Sequence, residues 1–148
     1  MDLGERFWPL LGSWLGEEEQ AASPWAPAAS ARAALQLKLD VQGSLVLQDY
    51  RQVRSDGVEL CGHGVFQAGP DGQLRWWFFD SYGYPPEPAS GRWDGGALVL
   101  EKTTERGVAE HVFSPAADAL DYRVRLRLAG RTDWSPFLSG RYRRVSGH

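Results

Sequence analysis

Hydrophobic and polar residues alternate along most of this chain with a period of two. The clearest examples are the segments ALQLKLDV at 34–41, SLVLQDYRQV at 44–53 and DYRVRLRLA at 121–129. Such alternation is typical of a β-strand that buries one face and exposes the other to water. Turn-forming sequences, among them SDG, PDG, DGG, ERG and AGR, separate the alternating segments, as they do in β-hairpins. The pattern therefore predicts consecutive antiparallel strands joined by short turns.

The number of strands predicts how the sheet is arranged. About ten strands fit into the 148 residues, a length that suits one domain spanning residues 1–148. A chain of this kind favours an all-β fold, a closed antiparallel up-and-down barrel, because closure leaves no exposed sheet edge. One short helix is predicted near residues 3–10, before the first strand, and the segment AASPWAPAAS at 21–30 is predicted as a loop.

The segment RWWFFD at 75–80 departs from the alternation, because both of its faces are apolar. Its strand follows two predicted hairpins, whose turns are SDG and PDG. If each turn is a two-residue type I′ loop, Tyr50 lies opposite His63, and His63 lies opposite Asp80. Residues directly opposite on neighbouring strands are close enough to form hydrogen bonds. The predicted register thus puts a phenol, an imidazole and a carboxylate in one row.

This row predicts a polar site set in an aromatic wall. Trp76 and Phe78 lie on the same predicted face as the row, and the tyrosines beyond Asp80 are expected at the rim of the barrel. The predicted ligand-binding residues are Tyr50, His63, Trp76, Phe78, Asp80 and Tyr82. Such a wall favours the binding of a small hydrophobic or aromatic molecule in the barrel cavity.

The same residues leave other functions open. His63 could act as general base, oriented by Asp80, in a cofactor-independent enzyme such as an isomerase, cyclase or hydrolase, with Tyr50 as hydrogen-bond donor. Alternatively, His63 is a partly buried histidine without a catalytic role, and Asp80 caps the end of its strand. The second apolar face of the segment at 75–80 could also contact a partner subunit, which leaves a homodimer open.

Composition and charge limit the classes of partner that this chain is expected to bind. The net charge is −3, and Arg123, Arg125 and Arg127 recur at a spacing of two, which is explained by the solvated face of a strand. We therefore expect no nucleic-acid partner. No apolar run approaches the roughly 20 residues that a membrane helix needs, so no membrane partner is expected. Seven Trp, six Phe and five Tyr supply enough aromatic surface for both a core and a cavity.

Cysteine and histidine are scarce. Cys61 is the single cysteine, so no intrachain disulfide can form, and a cytoplasmic location is predicted. Cys61 and His63 would share a strand face, but no second pair of metal ligands accompanies them, and His111 stands alone. No metal and no cofactor are therefore expected. The run Glu17, Glu18 and Glu19 is predicted to be solvated at the end of a strand.

Two stretches of the chain resemble known proteins. The opening LLGSWLGEEE resembles the start shared by calycin-like barrels, and the segments from LVLQDYR to SGRYRR resemble an uncharacterised bacterial family of the same shape. The resemblance implies a closed barrel similar to lipocalins and fatty-acid-binding proteins. Fatty-acid-binding proteins hold a carboxylate with an Arg-x-Tyr pair late in the chain, and Arg141-Tyr142-Arg143 has those residue types at a different spacing. The similarity alone implies an anionic head-group site there.

Nitrobindins are also similar at the segment GSWLGE, and they hold haem through a histidine on a late strand. The late strand of this chain reads PFLSGRYRR and has no histidine. His63 and His111 are the remaining candidates for an iron ligand, and neither matches that position. Haem binding is therefore a second, weaker alternative to the binding of an apolar molecule.

Overall fold

The computed structural model describes residues 2–24 and 26–146, which form two short helical segments and ten strands. The helical segments are α1 (Leu3–Phe7) and a 3-10 turn, η1 (Trp8–Leu10). The strands are β1 (Gly12–Gln20), β2 (Ala29–Asp40), β3 (Leu45–Arg54), β4 (Glu59–Ala68), β5 (Leu74–Asp80), β6 (Ala89–Asp94), β7 (Ala97–Thr104), β8 (Gly107–Ala116), β9 (Ala119–Leu128) and β10 (Ser135–Ser146). The predicted strands and the predicted short helix are thus all confirmed.

The ten strands form one closed antiparallel barrel. Each strand pairs with its neighbours in sequence, and β1 closes the barrel by pairing with β10. The pairing between β5 and β6 is short, since it covers only Leu74 to Trp76 on β5. The β5–β6 register ends at Trp76, although β5 continues to Asp80, and residues 81–88 connect the two strands. The predicted up-and-down barrel is confirmed.

The N-terminal helical segments close one end of the barrel. Asp2 caps α1 by accepting a hydrogen bond from the Glu5 backbone N–H at 2.8 Å. Phe7 is fully buried, and its ring lies 5.0 Å from the Phe66 ring and 5.3 Å from the Trp93 ring, centroid to centroid. Among the described residues, no helix has the length and apolarity that crossing a membrane requires. We call α1 and η1 together the plug, because they fill this end with apolar side chains.

The register of the β3–β4 and β4–β5 hairpins differs from the prediction by one residue. The Arg54 backbone N–H donates to the carbonyl of Val58, and the Gly69 N–H donates to the carbonyl of Gln73, so each loop has three residues instead of two. Gly57 and Gly72 end these loops with φ of 89° and 78°. A three-residue hairpin loop requires a left-handed residue at this position, and glycine adopts that conformation without a Cβ clash.

Compared with the prediction, the two register errors exchange the two faces of β4, while the residues of β3 and β5 lie on the predicted faces. Gly62 lies between Tyr50 on β3 and Asp80 on β5, while His63 lies opposite Asp49 and Phe79. A slip of one residue exchanges the two faces of a strand, and a second slip in the next hairpin exchanges the faces back. The predicted row of Tyr50, His63 and Asp80 is therefore wrong at its central member.

Candidate functional site

The half of the barrel away from the plug contains a cavity of about 560 Å³. It opens at the end where the β1–β2, β3–β4, β5–β6, β7–β8 and β9–β10 connections lie, and we call this opening the mouth. The lining residues are Gln20, Ser23, Ala26, Leu35, Gln48, Tyr50, Gln52, Arg54, Leu60, Trp76, Phe78, Tyr82, Tyr84, Arg106, His111, Phe113, Tyr122, Val124, Phe137, Leu138 and Tyr142. The volume falls within the roughly 300–1,000 Å³ typical of small-molecule sites.

One wall of the cavity is aromatic. The ring centroid of Trp76 lies 5.3 Å from that of Phe78, and the Phe78 ring lies 6.2 Å from the Tyr50 ring. Phe78 also covers Gly62, where an added Cβ would come within 2.1 Å of its ring. The Trp76 indole Nε1–H donates to Gln48 Oε1 at 2.9 Å, which fixes the tilt of the indole. The wall can therefore stack against an aromatic ligand without rearranging.

A buried carboxylate lies behind the wall of the cavity. Glu18 is 1% exposed, and its Oε1 accepts hydrogen bonds from the Tyr50 hydroxyl at 2.5 Å and from Gln52 Nε2 at 2.8 Å. The Tyr142 hydroxyl donates to the other oxygen, Oε2. We call these four residues the floor cluster. Burying a carboxylate is costly unless hydrogen bonds satisfy it, and three donors do so here.

The floor cluster holds its tyrosines in the protonated state. Burial raises the pKa of Tyr50 and of Tyr142 far above the usual value near 10, and the negative charge of Glu18 raises both further. Each hydroxyl proton points at Glu18, and the Tyr50 oxygen already accepts a hydrogen bond from Gln52 Nε2 at 3.1 Å. At neutral pH, the Tyr142 oxygen can accept a hydrogen bond from an N–H or O–H group in the cavity.

A second polar pair lies across the cavity on β8 and β9. His111 Nδ1 and the Tyr122 hydroxyl are 2.6 Å apart, and the His111 ring packs edge-on against Trp76 at 5.0 Å. Burial lowers the pKa of His111 to about 4, and the charge of Lys102 acts in the same direction. Burial also raises the pKa of Tyr122, with a smaller contribution from the Glu18 charge. Both groups are therefore uncharged at neutral pH.

The mouth carries the charged lining residues. Arg54 ends β3, and its Nη2 donates to Asp56 Oδ2 at 2.9 Å. Arg106 lies in the β7–β8 turn, with its guanidinium 5.7 Å from the centre of the Tyr84 ring. Tyr82 packs edge-on against Tyr84 at 6.4 Å, and both are more than half exposed. The mouth is thus an aromatic rim with two cationic side chains.

The structure brings together some of the six predicted residues and separates others. Tyr50, Trp76, Phe78 and Tyr82 line the cavity, whereas Asp80 accepts a hydrogen bond from the Tyr82 backbone N–H at 2.9 Å and turns the chain after β5. His63 is on the outer surface, where its Nδ1 lies 2.9 Å from Asp49 Oδ1 and its side chain is 47% exposed.

This placement removes the basis for the predicted acid–base pair. His63 and Asp80 are on opposite faces of the sheet, so Asp80 does not orient the imidazole, and the imidazole does not reach the cavity. The enzyme hypothesis built on this pair is therefore wrong in its geometry. Cys61, predicted on the same face as His63, is likewise exposed on the outside.

Sequence reasoning missed the floor cluster, although a signal for part of it was present. Glu18 was predicted to be solvated with Glu17 and Glu19, and this prediction is wrong for Glu18. Counting in steps of two from the buried Trp14 reaches Glu18, so the alternation itself points Glu18 inward. Tyr142 points inward as well and contacts Glu18, while Arg141 and Arg143 are exposed. The anionic site implied by the resemblance to fatty-acid-binding proteins is therefore not formed by these two arginines.

The donors in the cavity do not fit the haem arrangement of nitrobindins. The residues of β10 that line the cavity are Phe137, Leu138 and Tyr142, so the late strand offers no imidazole there. His111 is the one histidine among the lining residues, but it lies on β8, and Tyr122 engages its Nδ1. Across residues 2–24 and 26–146, no three His, Cys, Asp or Glu side chains come together as a metal site.

Comparisons with known proteins identify the fold. No protein-family model matches the chain, and no curated protein matches it by sequence. The crystal structure of Rv2717c from M. tuberculosis is similar over 99% of this chain and 99% of its own, with 16% identity and a TM-score of 0.73. The S-type phycobiliprotein lyase CPES from Guillardia theta is similar over 100% of this chain and 95% of its own, with 11% identity and a TM-score of 0.70. At these identities, the shared property is the barrel fold.

Proposed function

We propose that this protein binds a small, mainly apolar or aromatic molecule in the cavity of its barrel. The observation that carries the proposal is the cavity of about 560 Å³, which joins an aromatic wall to buried polar groups. Apolar walls supply most of the binding free energy in such sites, and a few fixed polar groups select and orient the ligand. The neighbours in fold, although distant in sequence, are compatible with a calycin-like binding barrel.

The floor cluster defines which ligand group can lie beside it. Glu18 has no cationic partner among the ion pairs of the described residues, and its neighbours Tyr50, Tyr142 and Gln52 are neutral. A negative charge behind the cavity wall favours a ligand group with a positive partial charge. The ligand group that contacts the floor cluster is therefore an N–H or O–H group, or an aromatic edge, and not a carboxylate.

A cavity-filling substitution tests the proposal. Leu60 lines the cavity near the mouth, so Leu60→Trp places an indole in the space that a ligand would occupy. We expect the affinity for the uncharged fluorescent probe pyrenebutyramide, measured by fluorescence anisotropy, to fall at least about tenfold, because the apolar contact area is lost. Thermal unfolding of both proteins checks that the barrel is intact.

The matched control is Val53→Trp. Val53 is 38% exposed on the neighbouring strand and is absent from the cavity lining, so the same indole is added outside the barrel. This variant is expected to bind the probe as the wild type does. If Leu60→Trp also binds the probe with unchanged affinity, or if the wild type binds none, the proposed function is wrong.

A further inference from the structure

Arg54 differs from the other charged side chains of the described chain. Its side chain is 12% exposed, and its Nε is shielded from solvent with no hydrogen-bond partner. Nη2 has one carboxylate contact, to Asp56, whose side chain is 49% exposed. An unsatisfied buried donor destabilises a fold, and the more so when the group is charged. An acceptor at this point would therefore stabilise the protein.

The charges around the cavity favour an anionic acceptor. Arg54 and Arg106 both line the mouth, and the lining contains no Asp or Glu. Glu18, the carboxylate of the floor cluster behind the cavity wall, is already engaged by Tyr50, Gln52 and Tyr142. The two cationic side chains of the lining are thus both at the mouth. A ligand with one anionic group is attracted with that group outward.

We propose that Arg54 is an anion-binding residue at the mouth, and that the ligand class is an amphipathic organic carboxylate. This inference rests on the proposed function, since the apolar body of such an acid occupies the same cavity. The carboxylate contacts the Arg54 guanidinium and supplies the acceptor that Nε lacks, after a small rotation of the side chain. Arg106, stacked beside Tyr84, adds a second positive charge at the same opening.

The site is distinct from the one implied by resemblance to fatty-acid-binding proteins. Arg141 and Arg143 are on the outer surface of β10, whereas Arg54 is at the inner face of β3, where that strand turns into β4. The even-numbered residues of β3 that line the cavity are Gln48, Tyr50, Gln52 and Arg54. Along this strand, Gln48 is innermost, Tyr50 and Gln52 of the floor cluster follow, and Arg54 is the outermost lining residue, at the mouth.

A pair of probes that differ in charge tests the inference. Pyrenebutyrate and the uncharged pyrenebutyramide have nearly the same shape, so the ratio of their affinities reports on the anionic group alone. The wild type is expected to bind the carboxylate about tenfold or more tightly than the amide, as one charge-assisted hydrogen bond would give. Arg54→Met is expected to remove this preference by weakening the binding of the carboxylate far more than that of the amide. Arg54→Lys, which keeps the charge, is expected to restore part of the preference.

The matched control is Arg51→Met on the same strand. Arg51 points outward and forms an ion pair with Glu59 at 2.7 Å, so its loss removes one positive charge without altering the cavity. It should leave the preference intact. If the wild type binds both probes equally, or if Arg51→Met removes the preference as Arg54→Met does, the anion site is wrong while the binding cavity stands. If neither probe binds the wild type, both proposals fall.

Discussion

The two ends of the barrel interior are both rich in aromatic residues, yet they are built differently. At the plug, Phe7 is fully buried, and its ring packs against the rings of Phe66 and Trp93. At the mouth, Trp76 and Phe78 face a cavity, and polar groups are buried beside them. Phe66 and Trp76 stack at 5.8 Å, so the two halves form one continuous aromatic column. The comparison assigns stability to the packed plug half and the proposed binding to the adjacent cavity half of the same interior.

The largest expected effect separates the plug from the cavity wall. Phe7→Ala removes a fully buried ring from a packed cluster and should lower the free energy of unfolding by about 3–5 kcal/mol. Phe137→Ala removes a half-buried ring that borders open space, and about 1 kcal/mol is expected. Denaturant unfolding measures both. Equal losses would mean that the two halves are not different in packing.

Low pH should destabilise the fold through His111, which lies in the cavity half of the barrel. Its pKa is lowered to about 4 in the folded protein, whereas the unfolded chain takes up the proton near pH 6.5. The contribution of neutral His111 to the free energy of unfolding is therefore fully present above pH 6.5 and is lost as the pH falls toward 4. The free energy of unfolding should fall by about 2 kcal/mol between pH 7 and pH 4.5 for this reason. Denaturant unfolding of the wild type and of His111→Phe at both pH values isolates the contribution of His111 to this pH dependence. The variant should lack that contribution. An identical pH dependence in the two proteins would contradict the assignment.

A smaller effect is expected within the floor cluster. Tyr142→Phe removes one of the three donors to Glu18 and should destabilise the fold by about 1.5 kcal/mol, the cost of a lost hydrogen bond to a charged group. Tyr84→Phe, at the exposed rim, serves as control and should change the free energy of unfolding by less than about 0.5 kcal/mol. Thermal and denaturant unfolding report both values. A neutral Tyr142→Phe would show that Glu18 does not depend on this hydroxyl.

Hairpin register marks the limit of what the sequence could predict. The alternation and the turn sequences were sufficient for ten strands, their order and the closure of the barrel, since these depend on local patterns. The face of the sheet on which His63 lies depends on whether the loop of each DG turn has two or three residues. Loops of both lengths accept a glycine in the left-handed region, so the turn sequence does not distinguish them. One residue in a loop therefore decided which strand face was placed in the cavity.

The polar interior was harder to predict for a different reason. Glu18 belongs to β1, and Tyr142 belongs to β10, which meets β1 only because the barrel closes. Tyr50 belongs to β3, which lies across β2 from Glu18. The separation of 124 residues between Glu18 and Tyr142 leaves no local pattern that links them. The size of the cavity is equally nonlocal, because it depends on how far the plug reaches into the barrel.

The most direct test of the account is an amide and indole NMR titration of the wild type with pyrenebutyramide. The account predicts that the Trp76 indole signal and the backbone signals of the mouth half shift with the probe, while those of Phe7 and Phe66 in the plug half stay in place. Shifts confined to the outer surface around His63, or no shifts at all, would contradict a binding cavity in the mouth half of the barrel.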